Sequence, residues 1–268
     1  MRKSKSKITR LTAIVMAGAM VLGLSACGGK SADNGTTAAG NTGTTQAAGE
    51  TTAAQGSTAG EKVITAAIST AWDTMMPLNT TSNYTRFICD QIYDRLTQTN
   101  ADGSIEGRLA ESWTVNDASD AVTFKLHEDA VWSDGEPVTA EDVVFSYQMY
   151  SDPSVEAKSR YHLEYIAGVD DSGAELSEDS IEVTADSDYE VTFKLKEAMY
   201  PDTFLQDIDT VFIIPKHIFE GKTAEEINAP DLWANPVGSG PFIYDSEING
   251  ERMEFTKNEI LELQILTV

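Results

Sequence analysis

Chemistry needs reactive groups at set spacings, and this sequence offers few. Gly29-Lys30-Ser31 has the end of a phosphate-cradling loop, but Leu24 stands where the first glycine of that motif belongs and no strand precedes it. His127, His162 and His217 are far apart, each with acidic or apolar neighbours, which reads as surface or core histidine rather than a multi-histidine metal centre. Cys89, in Phe87-Ile88-Cys89-Asp90, falls within a helical pattern as a core thiol. Residues 170–180 hold five carboxylates, without the alternate acids and central glycine of a calcium loop, so a solvated loop is expected there. Neither G-x-S-x-G nor H-E-x-x-H occurs. The expectation is therefore no catalytic residue, no bound metal and no cofactor.

The charge points the same way. With 43 Asp+Glu against 19 Lys+Arg, the chain of 268 residues has a formal net charge of −24. A polyanion such as nucleic acid requires a basic face, so nucleic-acid binding is excluded, as is electrostatic docking on anionic lipid. The N-terminus reads as an export signal. Residues 1–10 carry five basic groups and no acid, and residues 11–24 are uncharged and mostly apolar. As a helix those 14 residues reach about 21 Å, short of the ~30 Å of a bilayer core. Leu24-Ser25-Ala26-Cys27 resembles the lipobox of bacterial lipoproteins. The resemblance implies cleavage of 1–26, a diacylglyceryl group on Cys27, and a cell-membrane location on the extracytoplasmic face. Between Cys27 and the fold, residues 28–60 are 26 parts in 33 Gly, Thr, Ala and Ser, with no aliphatic residue larger than alanine and no aromatic. Such a stretch buries too little to offset its ordering entropy. Residues 27–61 therefore read as a lipidated cysteine and a disordered tether, its ends roughly 30 Å apart as a coil.

The elements come next. Residues 63–68 (Val-Ile-Thr-Ala-Ala-Ile) read as a first strand, and residues 83–96 as a helix with Tyr84, Phe87, Ile88, Ile92 and Leu96 on one face and Ser82 as a cap. A turn at 100–103 leads to strands at 112–115, 121–126 and 130–132, with 116–120 as one turn. Thr139 opens a helix whose early carboxylates suit the helix dipole, with Val143, Val144, Tyr147 and Tyr150 inward. A hairpin pairs 181–185 with 189–195, and Val-Thr-Phe-Lys-Leu occurs twice, at 122–126 and 191–195, in half-buried strands. Residues 211–215 read as a short buried strand ended by proline. Thr223-Ala224-Glu225-Glu226 is a capping box whose helix stops before Pro230, and 235–241 is a glycine-proline turn into Phe242. This mixture indicates an α+β fold.

Four blocks stand out: Leu109-Ala110-Glu111-Ser112-Trp113, the run from Val131-Trp132-Ser133-Asp134-Gly135 to Asp142-Val143, Ile214-Pro215-Lys216-His217, and Pro236-Val237-Gly238-Ser239-Gly240-Pro241-Phe242. Together they resemble the family 5 extracellular solute-binding proteins of ABC importers, which include oligopeptide-, dipeptide- and nickel-binding lipoproteins. Order and spacing agree over residues 62–256. The resemblance implies a periplasmic-binding-protein-like fold (type II, cluster C): a first lobe of mixed sheet, hairpins and flanking helices, with the second lobe missing. It implies capture of peptides or other small solutes, without turnover, for ABC permease and ATPase subunits. The alternatives it leaves are a nickel- or metal-chelate-binding member, or an adhesin-like or nonfunctional remnant. The cleft-lining stretch maps to Thr80, Thr81, Ser82, Asn83 and Tyr84, where a ligand main chain would pair with protein backbone; Ser82 as a plain cap and Tyr84 as core are the competing assignment. Family members run to about twice this length, and the likeness fails after Asn258, so residues 257–268 read as a divergent tail. A truncated or frameshifted frame, impaired in binding, is the expectation.

Overall fold

The computed structural model describes residues 64–69, 72, 74–80, 82–248 and 251–259. The signal segment, Cys27, the tether, Val63, Thr81 and residues 260–268 lie outside the described residues.

The core is built on the repeated pentapeptide. Strands β1 (Thr97–Thr99) and β2 (Ile105–Gly107) form a small hairpin. Then β3 (Ala110–Val115), β4 (Ala121–Leu126), β5 (Val183–Ser187) and β6 (Glu190–Lys194) make an antiparallel sheet in the order β3-β4-β6-β5. The two Val-Thr-Phe-Lys-Leu copies are thus direct neighbours. Val122 lies opposite Phe193 and Phe124 opposite Val191, while Thr123 faces Thr192 with hydroxyl oxygens 2.7 Å apart. Alternation puts Val122, Phe124, Leu126, Val191, Phe193 and Leu195 on one buried face. Helix α1 spans Asn83–Ile92, and α2, Ala140–Ser151, lies across the sheet. Helix α3, Pro201–Ile208, which the sequence reading leaves out, closes the buried face. Phe193 is the hub, with ring centroids 5.4 Å from Phe124, 4.7 Å from Tyr147 and 5.7 Å from Phe204. Edge-on and tilted pairs of this kind add about 0.5–1.5 kcal/mol each beyond burial.

Short helices α4 (Lys216–Phe219) and α5 (Ala224–Asn228) follow, then the ribbon β7 (Phe242–Ile248) with β8 (Arg252–Lys257). The capping box of α5 forms as expected: Thr223 N–H donates to Glu226 at 2.8 Å and Glu226 N–H to Thr223 at 3.3 Å. At α2, Asp142 Oδ2 accepts from Thr139 N–H (2.8 Å) and Oγ1 (3.0 Å).

Five expectations are corrected. Residues 64–68 form no strand; Ile64 is 84% exposed, because a strand exists only where a neighbour accepts its ladder and none does so among the described residues. Helix α1 ends at Ile92, not 96. Gly240 N–H takes the Ile92 carbonyl at 2.8 Å, and Tyr93 is already extended. Residues 130–132 contribute only one bridge, Val131 to Pro137, because the chain reverses at once around Gly135. Residues 211–214 are buried as expected but unladdered; Ile213 N–H donates to the Asp94 carbonyl and Ile214 N–H to Ser146 Oγ, which replaces a sheet partner. Where a mixed sheet is expected, the described ladders are all antiparallel: β1–β2, β3–β4, β5–β6 and β7–β8 are hairpins, and β4 and β6, which join the two hairpins of the main sheet, also run antiparallel.

Candidate solute-binding face

Three segments are tied to one another by hydrogen bonds and together make the candidate face. The first is the approach to α1. Met76, Pro77 and Leu78 are buried in a 3-10 turn, and Tyr93 OH donates to the Met75 carbonyl at 3.2 Å. With that anchor, the chain leaves the turn extended at Thr80 (φ −74°, ψ 121°) and is extended again at Ser82 (φ −115°, ψ 147°). Thr80 is half-buried, its Oγ1 3.4 Å from the Pro77 carbonyl, and its backbone N–H and C=O have no partner among the described residues. Ser82 is the cap of α1, its oxygen accepting from Thr85 N–H at 3.1 Å. Asn83 is exposed. Tyr84 is half-buried rather than core, its hydroxyl 2.6 Å from that of Ser69.

The second segment is the 3-10 turn Arg160–Leu163. Lys158 N–H donates to the Leu78 carbonyl at 2.9 Å, tying this turn to the first segment. Arg160 clamps it from behind, donating to the Tyr150 carbonyl at 2.8 Å and the Asp152 carbonyl at 2.6 Å, where α2 runs out of its own donors. So held, the turn presents Tyr161 58% exposed, its ring centroid 4.0 Å from that of His162.

The third is the end of α3. Asp207 Oδ1 receives His162 Nδ1 at 2.8 Å, and Arg86 of α1 reaches the Asp209 carbonyl at 3.1 Å. Thr99 N–H also donates to Asp209 at 3.3 Å, so one residue joins β1, α1 and α3. A cleft of about 400 Å³ along α1 shares Arg86 and Asp209 with this face. Its other charges are matched in pairs, Arg95 with Asp90 at 2.6 Å and Arg108 with Asp94 at 3.0 Å. Burial pushes the Asp94 carboxyl above its ordinary pKa, and Arg108 pulls against that shift.

The face therefore offers extended backbone, an exposed aromatic ring and oriented polar groups, which are the means of holding a solute. The sequence reading places Thr80, Ser82, Asn83 and Tyr84 here, with Thr81 outside the described residues. It misses Tyr161 and Asp207 and sets His162 aside, because no local pattern links positions 45 residues apart.

The motif blocks are scaffold beside this face. Ser133 N–H donates to the Gly238 carbonyl at 2.9 Å, His217 Nε2 lies 2.8 Å from Asp134, and Lys216 N–H donates to Asp142 Oδ1 at 2.8 Å. Glycine is required where 236–241 crosses α1, since a Cβ on Gly238 would fall 1.9 Å from the Ile92 carbonyl oxygen.

With the α+β lobe and its motif contacts established, the fold class is periplasmic-binding-protein-like, and comparison with known proteins agrees. Residues 104–260 match the profile of "Bacterial extracellular solute-binding proteins, family 5 Middle", and the chain belongs to that family. It is similar to the nickel-binding periplasmic protein of Escherichia coli K12, 30% identical over 200 residues, covering 72% of this chain and 34% of that one. The periplasmic oligopeptide-binding protein OppA of the same organism is 41% identical over 86 residues, covering 31% of this chain and 16% of OppA. The solved structure of the Bacillus subtilis oligopeptide-binding protein AppA with a nonapeptide superposes with a TM-score of 0.59 at 25% identity, covering 71% of this chain and 34% of that one. The chain spans about a third of the length of such relatives. Among the described residues no helix is long and apolar enough to cross a membrane.

Proposed function

We propose that this chain is a capturing surface of a lipid-anchored, extracytoplasmic receptor that delivers peptides to the permease and ATPase subunits of an ABC importer, without chemical change to its cargo. The observation that carries the reading is the extended backbone at Thr80, without a partner among the described residues, in a segment tied through the Lys158–Leu78 bond to the turn that exposes Tyr161. Main-chain pairing gives affinity whatever the ligand's side chains, and an aromatic anchor adds contact area at small entropic cost. Membership of a solute-binding family and the nonapeptide-bound relative support it. The anchor rests on the lipobox-like Leu24–Cys27, outside the described residues; a Cys27→Ser variant is expected to lose incorporation of labelled fatty acid, and undiminished labelling would remove the anchor from the reading.

The described face is a single wall, and a single wall holds less than a closed cleft. A micromolar site corresponds to about −8 kcal/mol; half the contacts leave about −4 kcal/mol, or a Kd on the order of 1 mM. Titration of the purified chain with di- to hexapeptides, followed by heat and by tryptophan fluorescence, is expected to saturate in that range with the peptides recovered intact. No saturable binding up to about 10 mM, or recovery of cleaved peptide, would overturn the reading.

A further inference from the structure

Two enclosed polar groups, one of them on this face, have no hydrogen-bond partner among the described residues. Asp207 gives one carboxylate oxygen, Oδ1, to the contact with His162 Nδ1 at 2.8 Å, while its other oxygen, Oδ2, is enclosed and unpartnered there. Tyr147 of α2 is 0% exposed, and its hydroxyl is likewise enclosed and unpartnered among the described residues. A carboxylate oxygen or a phenol that gives up its hydration without a new bond destabilises the fold, so native proteins supply such groups with a partner, from protein or from ordered water.

The packing brings the two groups together. The Tyr147 and Phe204 rings both lie against Phe193, with centroids at 4.7 Å and 5.7 Å from it. Asp207 is three residues beyond Phe204 on α3 and so shares its side of that helix. Burial first, then the neighbouring Tyr150 hydroxyl and the Asp207 carboxylate, push the Tyr147 hydroxyl well above its ordinary pKa, so the Asp207 charge reaches it. Yet the two make no direct hydrogen bond. One is a hydroxyl donor and the other accepts only. A partner for both must accept from the phenol, donate to the carboxylate and fit an enclosed polar site, which is the chemistry of water. A metal ion cannot accept from a phenol, and the described residues hold no group of three or more His, Cys, Asp or Glu around one.

We infer that one enclosed water joins the Tyr147 hydroxyl to Asp207 Oδ2, accepting from the phenol and donating to the carboxylate, and so fastens the end of α3 to α2. Because Asp207 also holds His162, the same water seats the turn that carries Tyr161. The inference goes beyond the proposed function, since the site stands whether or not the face takes peptides.

The test uses the purified full chain and magnetic relaxation dispersion of the water oxygen, which counts waters held inside a protein. Tyr147→Phe keeps the ring and removes the hydroxyl. It is expected to lose one long-lived water and to lower the folding equilibrium constant about tenfold in urea unfolding. Asp207→Asn is coupled to it: the double variant loses at least about threefold less than the product of the two single losses. Tyr165→Phe is the control. The Glu164 charge first, then burial and the Asp207 charge, raise that hydroxyl, but it is not among the enclosed unpartnered groups, and its removal should keep the water. An unchanged count of long-lived waters in Tyr147→Phe overturns the inference, as does an equal fall in Tyr165→Phe. Coupling between Tyr147 and Asp207 without loss of a water, the signature of a direct bond, overturns it too. Should Tyr147→Phe not fold, the wild type decides: a nuclear Overhauser effect from the Tyr147 ring to a bound water supports the site, and its absence overturns it.

Discussion

Replacing Asp142 by alanine tests whether the motif blocks are scaffold. The residue is 4% exposed and joins two elements with one carboxylate. Oδ2 accepts from Thr139 N–H at 2.8 Å and Oγ1 at 3.0 Å, closing the start of α2, while Oδ1 accepts from Lys216 N–H at 2.8 Å, fixing the entry to α4. Hydrogen bonds to a charged partner contribute about 1.5–3 kcal/mol each, and loss of a helix cap costs about 1 kcal/mol. Thr139 and Lys216 are only half-buried, so water recovers part of what the two N–H groups lose. The net cost for Asp142→Ala is then about 3 kcal/mol, and a domain of this size loses about 2–4 °C of Tm per kcal/mol. A fall of about 6–12 °C is therefore expected in melts followed by near-UV circular dichroism. Asp134→Ala is the comparison. It breaks the bond to His217 on the surface, where both side chains are about a third exposed, and should cost under about 1 kcal/mol. If Asp142→Ala melts within 2 °C of wild type, or the two substitutions cost the same, the motif does not hold the lobe together in the way argued.

Three further outcomes follow from the same packing. Phe193→Ala empties the centre of the aromatic cluster and should cost about 3–5 kcal/mol in urea unfolding; a cost under about 1 kcal/mol would mean that the cluster is not the core. Gly240→Ala places a methyl 2.7 Å from the Ile92 carbonyl carbon and should destabilise by about 1–3 kcal/mol, whereas Gly103→Ala meets no neighbour and costs only the backbone strain of a left-handed turn position (φ +86°), so its smaller effect on Tm is the control. Stability should fall on acidification. Asp120, held down by Lys194 and Asn116, and Asp170, held down by Ser172, have folded pKa values below their ordinary ones. A lowered folded pKa gives stability that is present above the unfolded pKa of about 4 and lost as the pH falls through the folded value. Tm measured from pH 6 down to about pH 2 should drop most steeply below about pH 4, and a Tm that rises there would contradict the assignment.

What the sequence discloses and what it withholds divide by the range of the forces involved. The cap at Thr223 is legible because donor and acceptor are three residues apart, and the pentapeptide strands because alternation is local. Helix α1 is overread by four residues because Leu96 keeps the apolar spacing, while the signal that ends the helix is an N–H from Gly240, far along the chain. The strand expected at 63–68 has the right composition, but pairing belongs to the neighbour and not to the residues themselves. Helix α3 escapes notice because it starts on Pro201 with no side-chain cap and spans only Pro201–Ile208.

The binding face shows the same division more sharply, and there it bears on function. Ser82 is visible in the sequence because it is a cap, and its helix-starting role is realised; the cap is also what turns the backbone out of α1 into the extended run at Thr80. The cap is the local structural signal, and the proposed ligand-facing role falls on the same segment. His162 is the opposite case. Its neighbours in sequence suggest nothing, and its placement is set only when α3 delivers Asp207 to Nδ1 and the Arg160 clamp fixes the turn. The fold was recoverable from periodicity and motif because many weak, local preferences agree on it. The arrangement of the candidate face depends on single contacts between distant segments, and a sequence read along its length has no term for those.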